Sequence, residues 1–561
     1  MKEETEYELE RQKIIAENQA LLTSLGLEAD GEAKLNLPAK SVAPKPKKAA
    51  ASRKRKAEPV EHAPARRSGR IAGLEADGQE IAKRNEAEEV AREVARVANR
   101  KERQQIMPIV DMVEETPESL IPELAVYLPS VAASETARTF PSTSATAKEA
   151  YADKSATSAE VERLKSAFSN MTLRANSKVT TERVFSMVVH PEPTKTLVLV
   201  GDKYGQLGIW DALGPGPAVS DDESEDDGTG RIWRVQAHAR NSITAMKVDP
   251  VNGSSLYTSS YDCTLRKLDF ATLTSTELFA FDDEDMLITH FDLTPSGQEA
   301  WMSDKNGGIS HCDFREGGER RRWVVQDEGR AAKLGGISVN PLMPHLICTA
   351  GNDQHVRVWD VRHFSKLNPL AAEKLSPPAP PEGEDVKPRI DTYPTSSIEN
   401  ERVQKYLQTP KGKGLQRAAY QHGKSCSAAY WDPWGRRIVT TSYDDKLRVW
   451  ELNPQSFVID QPLAGPFKPS TIIKHDCQTG RWLTILRAQW SLNTEYMPHF
   501  TVGNMKRTLD VFTATGERIA ALWTDGVTAV PAVTASHPSR VDHVVGGNTS
   551  GRIQLWTSGA E

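Results

Sequence analysis

Lys203, Tyr204, Arg240, Tyr261, Lys305, Lys333, Lys424, Arg436, Tyr443, Lys506 and Arg507 stand beside short Asp-, Asn- or Gly-containing segments in the last two-thirds of the chain. Cations presented on turns neutralise phosphates, and tyrosines interleaved among them offer rings on which an unpaired or extruded base can stack. Asp202, Asp262, Asp304 and Asp444 share those segments, so the competing reading is a set of surface cations that only solvate the molecule. Arg436 also fits a turn at the opposite end of its strands. Other chemistry is missing from the sequence. No Gly-rich phosphate loop, paired-histidine metal motif or Ser/His/Asp grouping stands out. Cys263, Cys312, Cys348, Cys426 and Cys477 are odd in number and form no C-x-x-C pair, which speaks against a disulfide framework and a zinc site and for a reducing compartment. His238 precedes an apolar strand where it is placed to bond a turn carboxylate such as Asp262. The expectation is therefore a non-enzymatic binding protein with no cofactor, no metal and no small-molecule substrate.

What must position these residues is a repeat. Aligned on one strand, the chain reads LGIWDA at Trp210, LRKLDF at Leu268, ISHCDF at Cys312, VRVWDV at Trp359, LRVWEL at Trp450, LDVFTA at Phe512 and IQLWTS at Trp556. The spacings are 58, 44, 47, 91, 62 and 44 residues, a period of about 40–45 with longer intervals where segments are inserted. Upstream of six of the seven lie apolar runs closed by X-Pro, as in VFSMVVHP, ITAMKVDP and SAAYWDP. Proline cannot continue a ladder and ends the strand. Between the two markers comes a second strand running into a tight turn, as in LVLVGDKYG and IVTTSYDDK, where Asp, Asn and Gly satisfy turn geometry. Three markers in one order define an all-β, seven-bladed WD-repeat β-propeller over 171–561, with inserts near 213–232, 363–421 and 453–480. The last Trp leaves five residues before the end, too few for a fourth strand. That strand is expected from within Leu173–Thr181, closing the ring.

Residues 1–170 read as a basic tail, mostly disordered and partly helical. Between Lys40 and Arg70 there are eleven Lys/Arg against two Glu, although the whole chain carries a net charge of −6. Such a run lacks the apolar bulk to offset chain entropy. Within it, Lys45, Lys47, Lys48, Arg53, Lys54, Arg55 and Lys56 form clusters of the kind that nuclear import factors read. Short helices are expected over 5–25 and 79–105, and a Ser/Ala/Thr-rich linker over 130–170. Arg320, Arg321 and Arg322 are expected in a solvated hairpin of the third blade, and the acidic run 221–227 in a solvated loop with Ser220 and Ser224 as candidate phosphorylation sites. The acidic start is unlike a signal peptide, and no run approaches the ~20 apolar residues of a membrane span. A soluble, intracellular protein without a membrane association is the expectation.

The motifs YELERQKIIAENQALLTSLGL at the start, RRSGR at 66–70, GDKYGQLGIWD at 201–211 and SSLYTSSYDCTLRKLDF at 254–270 resemble the damage-specific DNA-binding WD-repeat family. Its fungal members join a helix and basic tail to a propeller. Asn340–Arg362 also resembles the DNA-contacting subunit of the UV-damaged-DNA-binding complex, which has a basic run where this chain has Lys333. The resemblance implies binding to single- and double-stranded DNA with a preference for UV-damaged DNA, action in DNA metabolism or the damage response, and residence in the nucleus, with chromatin proteins as partners. A second function class remains, a protein-interaction scaffold or ubiquitin-ligase receptor without direct DNA contact. It draws on Trp359, Asp360 and Arg362, which match a Trp-Asp-x-Arg box that docks some propellers on cullin-4 adaptors.

Overall fold

The computed structural model describes residues 105–113, 120–134, 154–215, 228–239, 241–281, 283–315, 320–327, 329, 332–367, 395–480 and 483–559. The expected helix over 5–25, all but the last residue of the one expected over 79–105, the import clusters, the acidic run and Arg240 lie outside them.

Seven sheets carry the fold, antiparallel except for one added strand on blade 3. Blades 1 to 6 span 184–236, 243–280, 288–324, 334–421, 426–474 and 489–522. The seventh takes three strands from 533–558 and its outer strand, Met171–Lys178, from before the first blade. Met171 pairs with Ser558 and Lys178 with Arg552. The ring thus closes by main-chain hydrogen bonds between segments far apart in sequence, within two or three residues of the expected stretch. Every aligned position, from Trp210 to Trp556, falls on the third strand of its blade. The Trp side chains there are buried. Blade 6 is the repeat without an X-Pro marker, and its inner strand is reduced to Gln489–Trp490.

Two regions read as tail and linker fold against the propeller. Ile106–Pro108 adds a fifth strand to blade 2, pairing Ile106 with Thr276. Helix α1 (Ile121–Ala132) follows, with Leu124, Leu128 and Val131 at i, i+4 and i+7 buried together with Ile109, Met112, Trp233 and Phe270. Arg231 forks onto Glu123, and the Trp233 indole N–H donates to the Leu120 carbonyl at 3.2 Å. Helix α2 (Lys154–Phe168) buries Val161, Leu164 and Phe168 against Leu509, Leu522, Val544 and Trp556. The expected linker is therefore in part a helix spanning blades 6 and 7. Pro122 and Pro129 in α1 and the small polar residues around α2 hide both from a reading by propensity, although the apolar spacing is present.

The insert of blade 4 supplies Thr395–Ile398, a parallel fifth strand on blade 3, then helix α3 (Asn400–Leu407), and it ends in the blade's own fourth strand, Gln416–Gln421. Arg320, Arg321 and Arg322 do not form a solvated hairpin. They are in the fourth strand of blade 3, Arg320–Val324. Arg322 is buried and donates to Asp304 at 2.7 and 3.1 Å, while Arg320 caps the carbonyls of Leu278 and Ala280 and lies over the Phe279 ring. The strand pattern of burial, with Trp323 inside, overrides the impression of three consecutive charges.

Candidate nucleic-acid interface

In an antiparallel four-stranded blade, the turn between second and third strands emerges at the same end as the segment leading into the inner strand. Hydrogen bonds tie the two together in successive blades: the N–H groups of Lys203, Tyr261, Lys305, Asn352 and Tyr443 donate to the carbonyls of Arg183, Ser242, Leu287, Lys333 and Ser425. These turns share one backbone geometry. Gly205, Cys263, Gly307, Gln354, Asp445, Arg507 and Gly551 occupy the same place in the seven turns, all with φ between 59° and 84°. The Asp202 carboxylate accepts from the N–H groups of Tyr204 and Gln206, and Asp304 does the same for Asn306 and Gly308. With backbone and acid engaged in the turn, the neighbouring residues project from one face. Lys203, Tyr204, Tyr261, Lys305, Tyr443, Lys506 and Arg507 lie on these turns, and Lys333 and Lys424 on the segments leading inward. Arg436 does not. It closes the first-to-second-strand turn of blade 5, where its N–H donates to Asp432, and so belongs to the opposite face.

The carboxylates on the turns do not cancel this charge, because they point back into their own blades. Asp304 is held by Arg322, Asp353 by Arg357 at 2.6 Å and Asp444 by Arg448 at 2.6 Å. Asp262 lies 2.9 Å from Nδ1 of His238, whose Nε2 is 2.8 Å from the Thr258 hydroxyl. Burial alone would raise the Asp262 carboxyl, but the charge and hydrogen bond of His238, joined by Thr264, outweigh it and hold the group well below the usual carboxylate range. The expected His238 to Asp262 bond is thus present and architectural. Asp202 has no such cation among the described residues, and burial pushes its carboxyl up despite two amide donors.

Within this face a cavity of about 320 Å³ opens at the ring axis. Tyr261, Lys333 and Tyr443 line it, with Arg183, Phe185 and Arg487. No carboxylate is among the described lining residues. Lys333 Nζ is 3.4 Å from the Tyr261 hydroxyl and 5.8 Å from its ring centre. Phe185 meets the Tyr261 ring edge to face at 6.1 Å, Arg183 covers Phe185, and the Tyr443 hydroxyl is 2.9 Å from that of Thr479. Three aromatic rings and three basic side chains around one opening suit a flat apolar ring joined to a phosphate.

Of the sequence candidates among the described residues, only Tyr261, Lys333 and Tyr443 meet at this mouth. Lys203 and Tyr204 form their own pair, Nζ to hydroxyl 3.1 Å, and Lys424, Lys506 and Arg507 are exposed farther out. Nor is the rim uniformly basic. The loop before blade 3 exposes Asp283, Glu284 and Asp285, and Asn306 beside Lys305 donates to the Asp285 carbonyl. Arg183 was findable by the rule that selects Lys333, since both immediately precede an inner strand. Arg487 had no signal, because it lies in the irregular lead into the shortened inner strand of blade 6.

On the opposite face, Trp359 and Asp360 are buried, which corrects their assignment as partner contacts. The Trp359 indole donates to Thr349 at 2.9 Å, and Asp360 accepts from Arg362 at 2.6 and 2.9 Å and from buried Arg417 at 3.0 Å. Arg362 alone reaches solvent, its side chain 52% exposed.

Fold and site together define a WD-repeat β-propeller with a basic, aromatic axial mouth, and residues 415–451 match the family model described as WD domain, G-beta repeat. A protein of Cryptococcus neoformans var. neoformans serotype D (strain JEC21) named DNA damage-binding protein CMR1 is 60% identical over 596 residues, covering all of both chains. Proteins of the same name from Mycosarcoma maydis and Aspergillus clavatus are 32% and 31% identical, with 98% or more of each chain covered. The chain belongs to the CMR1 family of DNA damage-binding WD-repeat proteins.

Proposed function

We propose that the protein binds single- and double-stranded DNA through the axial mouth, and prefers damaged duplexes because a lesion frees a base for that mouth at low energetic expense. The observation that carries the reading is the meeting of Tyr261, Phe185 and Tyr443 with Lys333, Arg183 and Arg487 in an opening free of described carboxylates. The relatives' name supports it. Base stacking on an aromatic side chain contributes about 1–3 kcal/mol, enough to set a preference without reading sequence. Tyr261→Ala in the full chain is expected to bring affinity for UV-irradiated duplex down to that for intact duplex, leaving the latter within about twofold. Competition binding measures this, and an equal loss on both duplexes would remove the stacking role.

The same reading places the protein in the nucleus, in contact with chromatin. Replacing Arg53, Lys54, Arg55 and Lys56 by alanine is expected to move a fluorescent fusion toward the cytoplasm; a fusion that stays nuclear would assign import to another segment. A second reading, a contact with a cullin-4 adaptor, is favoured by Arg362 alone, half-exposed on the face opposite the mouth and oriented by Asp360. Its planar head pairs well with a carboxylate. Arg362→Glu is expected to abolish co-purification of the adaptor with DNA binding unchanged, and retention of the adaptor would dismiss the contact.

A further inference from the structure

Beneath the mouth the axial space continues. A second cavity of about 140 Å³ shares Phe185, Ile485 and Arg487 with the opening above and Lys247 and Gln489 with the space below. A buried water needs roughly 10–15 Å³ on this scale, so there is room for a ligand of several atoms. Two basic side chains, Arg487 and Lys247, line it together with His290, and no carboxylate is among its described lining residues. His290 is buried, with Nε2 3.0 Å from the Tyr430 hydroxyl. Burial first, then the positive charges of Arg487 and Lys247, hold its imidazole well below its ordinary pKa. The same two cations act on Tyr430. Arg487 makes only long contacts, 3.4 Å, to the carbonyls of Thr244 and Gly335. Lys247 is paired at 3.0 Å with Asp292, a carboxylate that the Val339 and Leu293 N–H groups also hold at 2.9 and 3.1 Å, so the charge left unbalanced is that of Arg487. The cavity therefore keeps an excess of positive charge in a confined, partly apolar wall, where an anion is attracted more strongly than at a surface.

We propose that this channel is a phosphate site, in which Arg487 and Lys247 bind a phosphate group either as the free ion or as the phosphate of a nucleotide whose base occupies the mouth. The site shares Arg487 with the mouth proposed to bind DNA, but it lies deeper along the axis and is testable without DNA. Titration of the full-length protein with inorganic phosphate, followed by phosphorus NMR line broadening, is expected to show saturable binding that Arg487→Met reduces by about tenfold or more. Lys247→Met is expected to weaken it and Asp292→Asn, which removes the competing carboxylate, to tighten it, each by roughly tenfold, the scale of one nearby charge. A disturbance of folding would not move the two in opposite directions. A deoxynucleoside 5′-monophosphate that binds more tightly than phosphate assigns the site to a nucleotide, and equal affinities assign it to the free ion. Absence of saturable phosphate binding, or a shift of the same sign in both variants, overturns the proposal whatever the outcome with DNA.

Discussion

A protein lacking residues 1–178 is expected to be recovered only as aggregate, whereas one lacking residues 1–104 is expected to melt at the temperature of the full chain. The first deletion removes Met171–Lys178 and leaves the third strand of blade 7 with an unpaired edge, a template for strand addition from another molecule. Removing residues 1–165 gives an intermediate case that sequence alone misjudges. If everything before residue 171 were tail, that deletion would be silent. In the structure it strips Leu124, Leu128, Val131, Val161 and Leu164 from buried positions, each contributing roughly 1.5–3 kcal/mol of burial, and uncovers Trp233 and Trp556. A melting temperature more than about 10 °C below that of the full chain is expected by calorimetry. An unchanged midpoint after removing residues 1–165, or a soluble, folded ring after removing 1–178, would contradict this account of closure and docking.

Reversal of charge at the mouth and on the face around it, at Lys333 and Lys424, is expected to have the other large effect. Lys333→Glu combined with Lys424→Glu should lower affinity for every DNA by roughly a hundredfold at moderate salt, on the order of tenfold per reversed charge. The slope of log affinity against log salt should fall by about one unit for each phosphate that is no longer neutralised. Lys305→Glu is the internal control. Its neighbours Asp283, Glu284 and Asp285 already make that arc unfavourable for phosphates, so a change within about threefold is expected. Equal losses at Lys305 and Lys333 would mean that the face acts through net charge rather than through the mouth.

How much of this was legible before the structure follows from what each signal depends on. Blade number, register and closure rest on local rules: a Trp or its substitute on the third strand, proline at the end of the inner strand, and an Asx turn between. Those rules hold wherever the residues recur, and they placed Trp210 and Trp556 on equivalent strands. The mouth depends on which side chains of different blades meet across the axis, and spacing along the chain does not encode that. Lys333 and Tyr261, 72 positions apart, meet, while Lys506 and Arg507, equally well placed on a turn, stay outside the cavity. Arg322 shows the same limit. Its buried partner is Asp304 at the end of the blade's second strand, with the third strand in between, a partner that three adjacent arginines do not announce.

On the proposed function, the propeller mouth, and not the basic tail, selects damaged DNA. This is tested most directly by measuring, over a range of salt concentrations, how residues 105–561 bind intact duplex, UV-irradiated duplex and a duplex with one unpaired base. This shortened protein is expected to bind all three less tightly than the full chain yet to favour the damaged and unpaired duplexes by the full chain's margin, and Tyr261→Ala is expected to erase the margin. Loss of the preference with the tail, while the ring remains folded, would contradict the proposed function.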